Sequence, residues 1–207
     1  MPDDGDWAGA VRQRRKSLLQ RLSLAAALTL IFSPVLGWSM SLGWLVGYLA
    51  VQLIDLWIFG PITTGKAEQL HGGRRVAGWI SLIVGAAYFC GLSVPLWLVG
   101  GPAGGVCAIL LLSGASMYAV VNASCSTSAM LMTASPPLLY LAATPAFMAV
   151  HGATSSILTV ATFSVGVFVL FCLSTWRRMN EAHQSERAAR IEAQAKRLEA
   201  ERIMAGR

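Results

Sequence analysis

Asp55 is the residue whose type and setting most clearly point to chemistry. It is the only ionisable carboxylate in the stretch 40–59, which is otherwise apolar or weakly polar. An ionisable side chain in such a segment is costly to keep away from water and marks a functional site by default. A carboxylate there can carry a proton, bind a cation or accept hydrogen bonds. Gln52, one helical turn earlier, and Trp57 are its candidate partners within the segment. Two readings follow. In one, Asp55 and Gln52 form a ligand- or proton-sensing site. In the other, Asp55 makes a structural hydrogen bond at the membrane interface, because Gly60-Pro61 ends the segment about one turn further on.

The remaining reactive side chains are scattered. His71 and His151 stand alone in turns, and Cys90, Cys107, Cys125 and Cys172 form no CxxC or Cys/His cluster. They predict neither a metal site nor a disulfide framework. Gly114-Ala115-Ser116 with His151 offers the residue types of a nucleophile–base pair. Their expected depths differ by about 15 Å along the helix rise, beyond hydrogen-bond reach. No phosphate-binding loop or dinucleotide fingerprint is present. The sequence therefore predicts no catalytic residue, no metal and no cofactor.

The elements that must position Asp55 are membrane helices. From Val76 to Trp176 the chain has no Asp, Glu, Lys or Arg, and 55% of the 207 residues are hydrophobic against 13% charged. About a quarter of an ordinary globular chain is charged, so lipid is the solvent of this stretch. Apolar runs near the ~20 residues that cross a bilayer predict six spans, at 22–38, 40–59, 76–99, 106–121, 129–150 and 155–176. Gly100 to Gly105 reads as a tight turn. Pro136, Pro137 and Pro145 are expected to kink span five. The formal charge of +6 is concentrated at 1–21, at Lys66 to Arg75 and after Arg177. Basic flanks of this kind set orientation and meet anionic lipid rather than nucleic acid. They place both ends and the Lys66 to Arg75 loop in the cytoplasm of a bacterial inner membrane. The fold class is all-α, a polytopic membrane helix bundle followed by a cytoplasmic helix. Its parts are a basic head at 1–21, retained rather than cleaved as a signal, a six-span bundle at 22–176 and a signalling helix at 177–207.

That last segment is rich in Ala, Glu, Arg, Gln and Lys, a strongly helix-forming composition. Glu186 with Arg190, and Glu192 with Lys196, are i,i+4 pairs in the favourable order. Ala188, Ile191, Ala195, Leu198 and Ala205 fall on alternating a and d positions, with Gln184 and Arg202 filling two further ones. This is the seam of a weak coiled coil and predicts a homodimer.

The segment Ala182 to Arg207, AHQSERAARIEAQAKRLEAERIMAGR, resembles the helix that follows the last span of bacterial sensor histidine kinases, hybrid ones especially. A similar helix precedes diguanylate cyclase domains in other many-spanned proteins. In the kinases it leads into a phosphoacceptor histidine motif. No such motif and no ATP-binding region occurs here, and His183 does not match the acceptor context. The resemblance implies a membrane input module that signals through its last span to a kinase-type output domain, supplied in cis or in trans. The contrasting expectation is a small transporter or channel with Asp55 as its coupling residue and the broken span five along its path. A purely structural membrane protein is the third.

Overall fold

A computed structural model describes residues 7–65, 72–123 and 126–205; the expected loop residues Lys66, Glu68 and His71, and Cys125, lie outside them. Described residues are almost entirely helical and contain no strand. Among the described residues eight helices follow one another: α1 (Trp7–Lys16), α2 (Leu18–Leu36), α3 (Trp38–Thr63), α4 (Gly73–Gly91), α5 (Ser93–Asn122), α6 (Thr127–Ala142), α7 (Thr144–Val150) and α8 (Ser155–Ala205). Four helical runs are long and apolar enough to cross a membrane: Leu18–Leu36, Trp38–Thr63, Gly73–Asn122 and Ser155–Lys196. The chain is an all-α membrane protein.

Glycine and proline set the breaks between helices. Gly37 alone separates α2 from α3, and its positive φ of 82° is a conformation that favours a residue without Cβ. The long run Gly73–Asn122 is not straight. Gly101, at φ 57° and ψ −146°, interrupts it. Beyond that point Gly104 lies so close to Leu96 that a Cβ would collide with the Leu96 carbonyl oxygen. In one straight helix residues eight apart would be about 12 Å from each other. The run therefore folds back on itself at Gly100-Gly101, in agreement with the tight turn read from the sequence.

Two boundaries differ from expectation. Helix α3 does not end at Gly60-Pro61 but continues to Thr63, where the Thr63 and Thr64 hydroxyls donate to the Gly60 carbonyl at 3.0 and 2.9 Å. Pro136 and Pro137 sit inside α6 without breaking it. The break falls at Ala143, just before Pro145, which opens α7 where a missing N–H costs nothing.

Helices α2 to α6 pack around shared apolar clusters. Phe32 and Leu36 of α2 meet Leu92 at the α4–α5 junction and Leu96, Trp97, Ala108 and Leu111 of α5. Cys90, Leu112 and Leu141 join α4, α5 and α6. An aromatic group ties α3 to α4: Trp44 stacks with Tyr48 and Tyr88, while Trp44 Nε1 donates to the Tyr88 carbonyl and the Tyr88 hydroxyl donates to that of Trp44. Helix α1 packs onto the bundle. Val11 of α1 is buried against Ile58, Phe59 and Ile62 of α3 and Leu82 of α4.

The fold-back depends on a residue without a side chain at Gly104. Gly104→Val is expected to destabilise the detergent-solubilised protein by about 1–3 kcal/mol, the cost of overpacking. Gly166→Val, with open space around it, is expected to leave the thermal midpoint unchanged. Paired melting curves read by size-exclusion chromatography check both.

Candidate functional site

Asp55 is buried, at 5% exposure, and it has two cationic neighbours. Arg14 Nε of α1 donates to Asp55 Oδ2 at 2.9 Å. Arg21 Nη1 of α2 approaches the same oxygen at 3.9 Å. The Ser81 hydroxyl of α4 donates to Asp55 Oδ1 at 2.9 Å. One carboxylate thus joins four helices. Gln52 lies three residues earlier on the same face of α3 and accepts from Arg21 Nη1 at 2.6 Å. Gln52 and Asp55 therefore belong to one cluster, linked through Arg21 rather than to each other.

Arg14 and Arg21 are seven residues apart, two turns along the α1–α2 path. The path breaks at Ser17, where two groups take up the Arg14 carbonyl: the Ser17 hydroxyl donates to it at 3.0 Å and Arg21 Nη2 at 3.0 Å. A side chain from the start of α2 thereby caps the end of α1, meeting the demand that helix-end carbonyls find donors. Gly85 of α4 leaves room for the Arg14 guanidinium, since a Cβ there would stand 3.3 Å from Arg14 Nη2.

The sequence located the carboxylate and its glutamine but not the two arginines or the serine. Arg14 and Arg21 read as a basic membrane flank because they precede the first apolar run. Their seven-residue spacing, upstream of a segment holding one buried acid, is the signal that would have found them. Trp57 is not a partner of Asp55: it is exposed, and the Arg74 guanidinium lies 5.7 Å above its ring. Ser116 is fully buried and donates to the Leu112 carbonyl, whereas His151 stacks on Trp97. These residues are not brought together as a nucleophile and base.

Beside the cluster is a cavity of about 440 Å³. Arg14, Arg21, Tyr118 and Asn122 line it, together with apolar side chains that include Leu28, Phe32, Phe89 and Leu111. Arg21 Nε and the Tyr118 hydroxyl are buried without a hydrogen-bond partner. Asp55 does not line the cavity. No group of three or more metal-ligating side chains occurs among the described residues.

The predicted seam lies on α8, one helix from Ser155 to Ala205. Ala188, Ile191 and Ala195 are exposed along it, whereas the side chains of Leu198 and Ala205 lie outside the described residues. The expected Glu192–Lys196 pair forms at 2.6 Å; Arg190 of the other pair lies outside the described side chains.

Comparison of the chain with protein-family models, curated proteins and solved structures finds no match.

Removing the carboxylate leaves the buried Arg21 and the half-buried Arg14 without their counter-charge. Asp55→Asn is expected to cost about 3–5 kcal/mol, the range for breaking a buried ion pair from one side. Adding Arg14→Gln in the same chain is expected to return part of that loss. A double-mutant cycle on thermal unfolding in detergent measures the coupling. Additive losses would show that the two residues do not interact.

Proposed function

We propose that the chain is a membrane-embedded sensory module that passes a signal along α8 to a kinase-type output domain. The observation that carries this reading is the continuity of α8. Its 51 residues would extend about 75 Å at the helical rise, more than twice the ~30 Å hydrocarbon core. The helix runs without a break from the apolar bundle into the charged segment.

The faces of α8 support the same reading. Val165, Phe168 and Cys172 face the bundle, with Cys172 Sγ 3.9 Å from Met117 Sδ. On the opposite side Val160, Phe163, Val167 and Leu170 are 65–72% exposed. These four follow the 3-4-3 spacing of a heptad seam. The same frame continues without a stutter through Ser174, Arg177, Glu181 and Gln184 to Ala188, Ile191, Ala195, Leu198 and Ala205. A homodimer along this frame would bring both copies of α8 together inside the bilayer and below it. A shift of α8 against the bundle would then reach the output domain as a change in the paired helices. Six crossings, with both ends in the cytoplasm of a bacterial inner membrane, agree with this arrangement and with the basic segments.

Transport through Asp55 is the weaker reading. Both of its oxygens accept hydrogen bonds, from Arg14 and Ser81, and it stands outside the cavity.

The reading predicts a dependence on helical phase. In a chimera with a histidine-kinase transmitter domain joined after Arg207, a four-residue insertion after Trp176 is expected to change autophosphorylation severalfold. A heptad insertion is expected to restore it. Autophosphorylation in membrane vesicles is the measurement, and indifference to both insertions would remove the proposal.

A further inference from the structure

We propose that the cavity beside the Arg14–Arg21–Asp55 cluster binds an anionic amphiphile, a carboxylate or phosphate headgroup carrying an acyl chain. The first ground is charge. Two guanidiniums meet one carboxylate, so the buried polar end of the cavity holds an excess positive charge among the described residues. A buried charge is stable only when paired and hydrogen-bonded. Arg21 is 6% exposed, yet its Nε–H has no acceptor. The hydroxyl of Tyr118, which also lines the cavity, has none either. A carboxylate or phosphate drawn to this end of the cavity would offer acceptors to these donors and balance the excess charge.

The second ground is shape. Away from this end the lining is apolar, through Leu24, Leu28, Ile31, Phe32 and Leu111. Arg21 and Ile31 both line the cavity and both belong to α2, so the apolar part extends about 15 Å along that helix. That is half the ~30 Å hydrocarbon core, the depth of one leaflet. Leu24 and Ile31 of α2 and Leu110 of α5 line the cavity while remaining exposed on the outer surface. The cavity therefore opens sideways, between α2 and α5, toward the acyl chains of the surrounding membrane. A headgroup donor pair at one end and an apolar slot of one leaflet's depth fit an amphiphile entering from the bilayer. The volume is within the ~300–1,000 Å³ range of ligand sites.

The inference supplies a ligand class to the sensory reading. Its test uses the chain alone, so a failure of signalling through α8 leaves it standing. The intact protein, purified in a non-ionic detergent, is titrated with dodecanoate and, separately, with dodecanol. Dodecanoate is expected to bind at least tenfold more tightly, and equal binding would overturn the anionic assignment. Tyr118→Phe is expected to weaken dodecanoate binding about tenfold, the scale of one hydrogen bond to a charged group. Gly114 lines the cavity with open space at its Cβ position, so Gly114→Leu is expected to fill the slot, fold normally and abolish binding. Unchanged binding in a folded Gly114→Leu protein would place the ligand elsewhere and overturn the site. Native mass spectrometry of the protein extracted from membranes separates the two sources of the chemistry. A retained mass of a diacyl phospholipid identifies a lipid headgroup, and that of a single acyl chain identifies a free fatty acid. The absence of both a retained mass and saturable dodecanoate binding would overturn the proposal.

Discussion

The structure depends on one buried ion pair. The buried Asp55 carboxylate is held by Arg14 and Arg21, and the buried Arg21 guanidinium has its counter-charge in Asp55. Neither charge is tolerable alone in a low-dielectric interior. The pair dictates the course of the first three helices. The two-turn spacing of Arg14 and Arg21 turns both toward α3, the break at Ser17 is capped by Arg21 itself, and α4 presents Ser81 and the small Gly85 at the same level. The apolar clusters add area and the aromatic group at Trp44 adds rigidity, but the charge cluster sets which helix lies beside which.

The cluster carries more positive than negative charge. A symmetrical pair, fully hydrogen-bonded, would be a structural staple and nothing more. Here an Arg21 donor and the Tyr118 hydroxyl are buried without a partner, in two residues that line an otherwise largely apolar cavity. The same residues that hold the helices together thus leave one end of the cavity chemically incomplete. The bundle is also asymmetric in what it packs. Helix α8 touches its neighbours along one face, through Val165, Phe168 and Cys172, and leaves a full apolar stripe outward.

Much of the fold was legible because its causes are local. The uncharged run from Val76 to Trp176, the Gly100 to Gly105 turn and the shift to Ala, Glu and Arg after Trp176 are each visible in a short window. The break in the fifth apolar segment was expected at the prolines and occurs at one of them. Pro136 and Pro137 stay helical, whereas the interruption falls before Pro145. The site was half legible for the opposite reason. Asp55 and Gln52 stand out because burial makes a polar side chain conspicuous. Arg14 and Arg21 do not, because basic residues before a first span are ordinary, and only the three-dimensional path of α1 and α2 carries them to α3. Ser81, the one serine of α4, gave no signal that distinguishes it from a packing residue.

The order of residues in the cluster has a bearing on how the chain enters a membrane. Both cations precede Asp55 in sequence, and Ser81 follows it. A chain made from its N-terminus therefore emerges with its counter-charges before its carboxylate. When α3 arrives, the acid that would resist partitioning into lipid meets two guanidiniums already carried on α1 and α2. Because Gly37 alone joins α2 to α3, the first hairpin can form before most of the bundle has been synthesised. Insertion and neutralisation become a single event, confined to the first 63 residues through the end of α3.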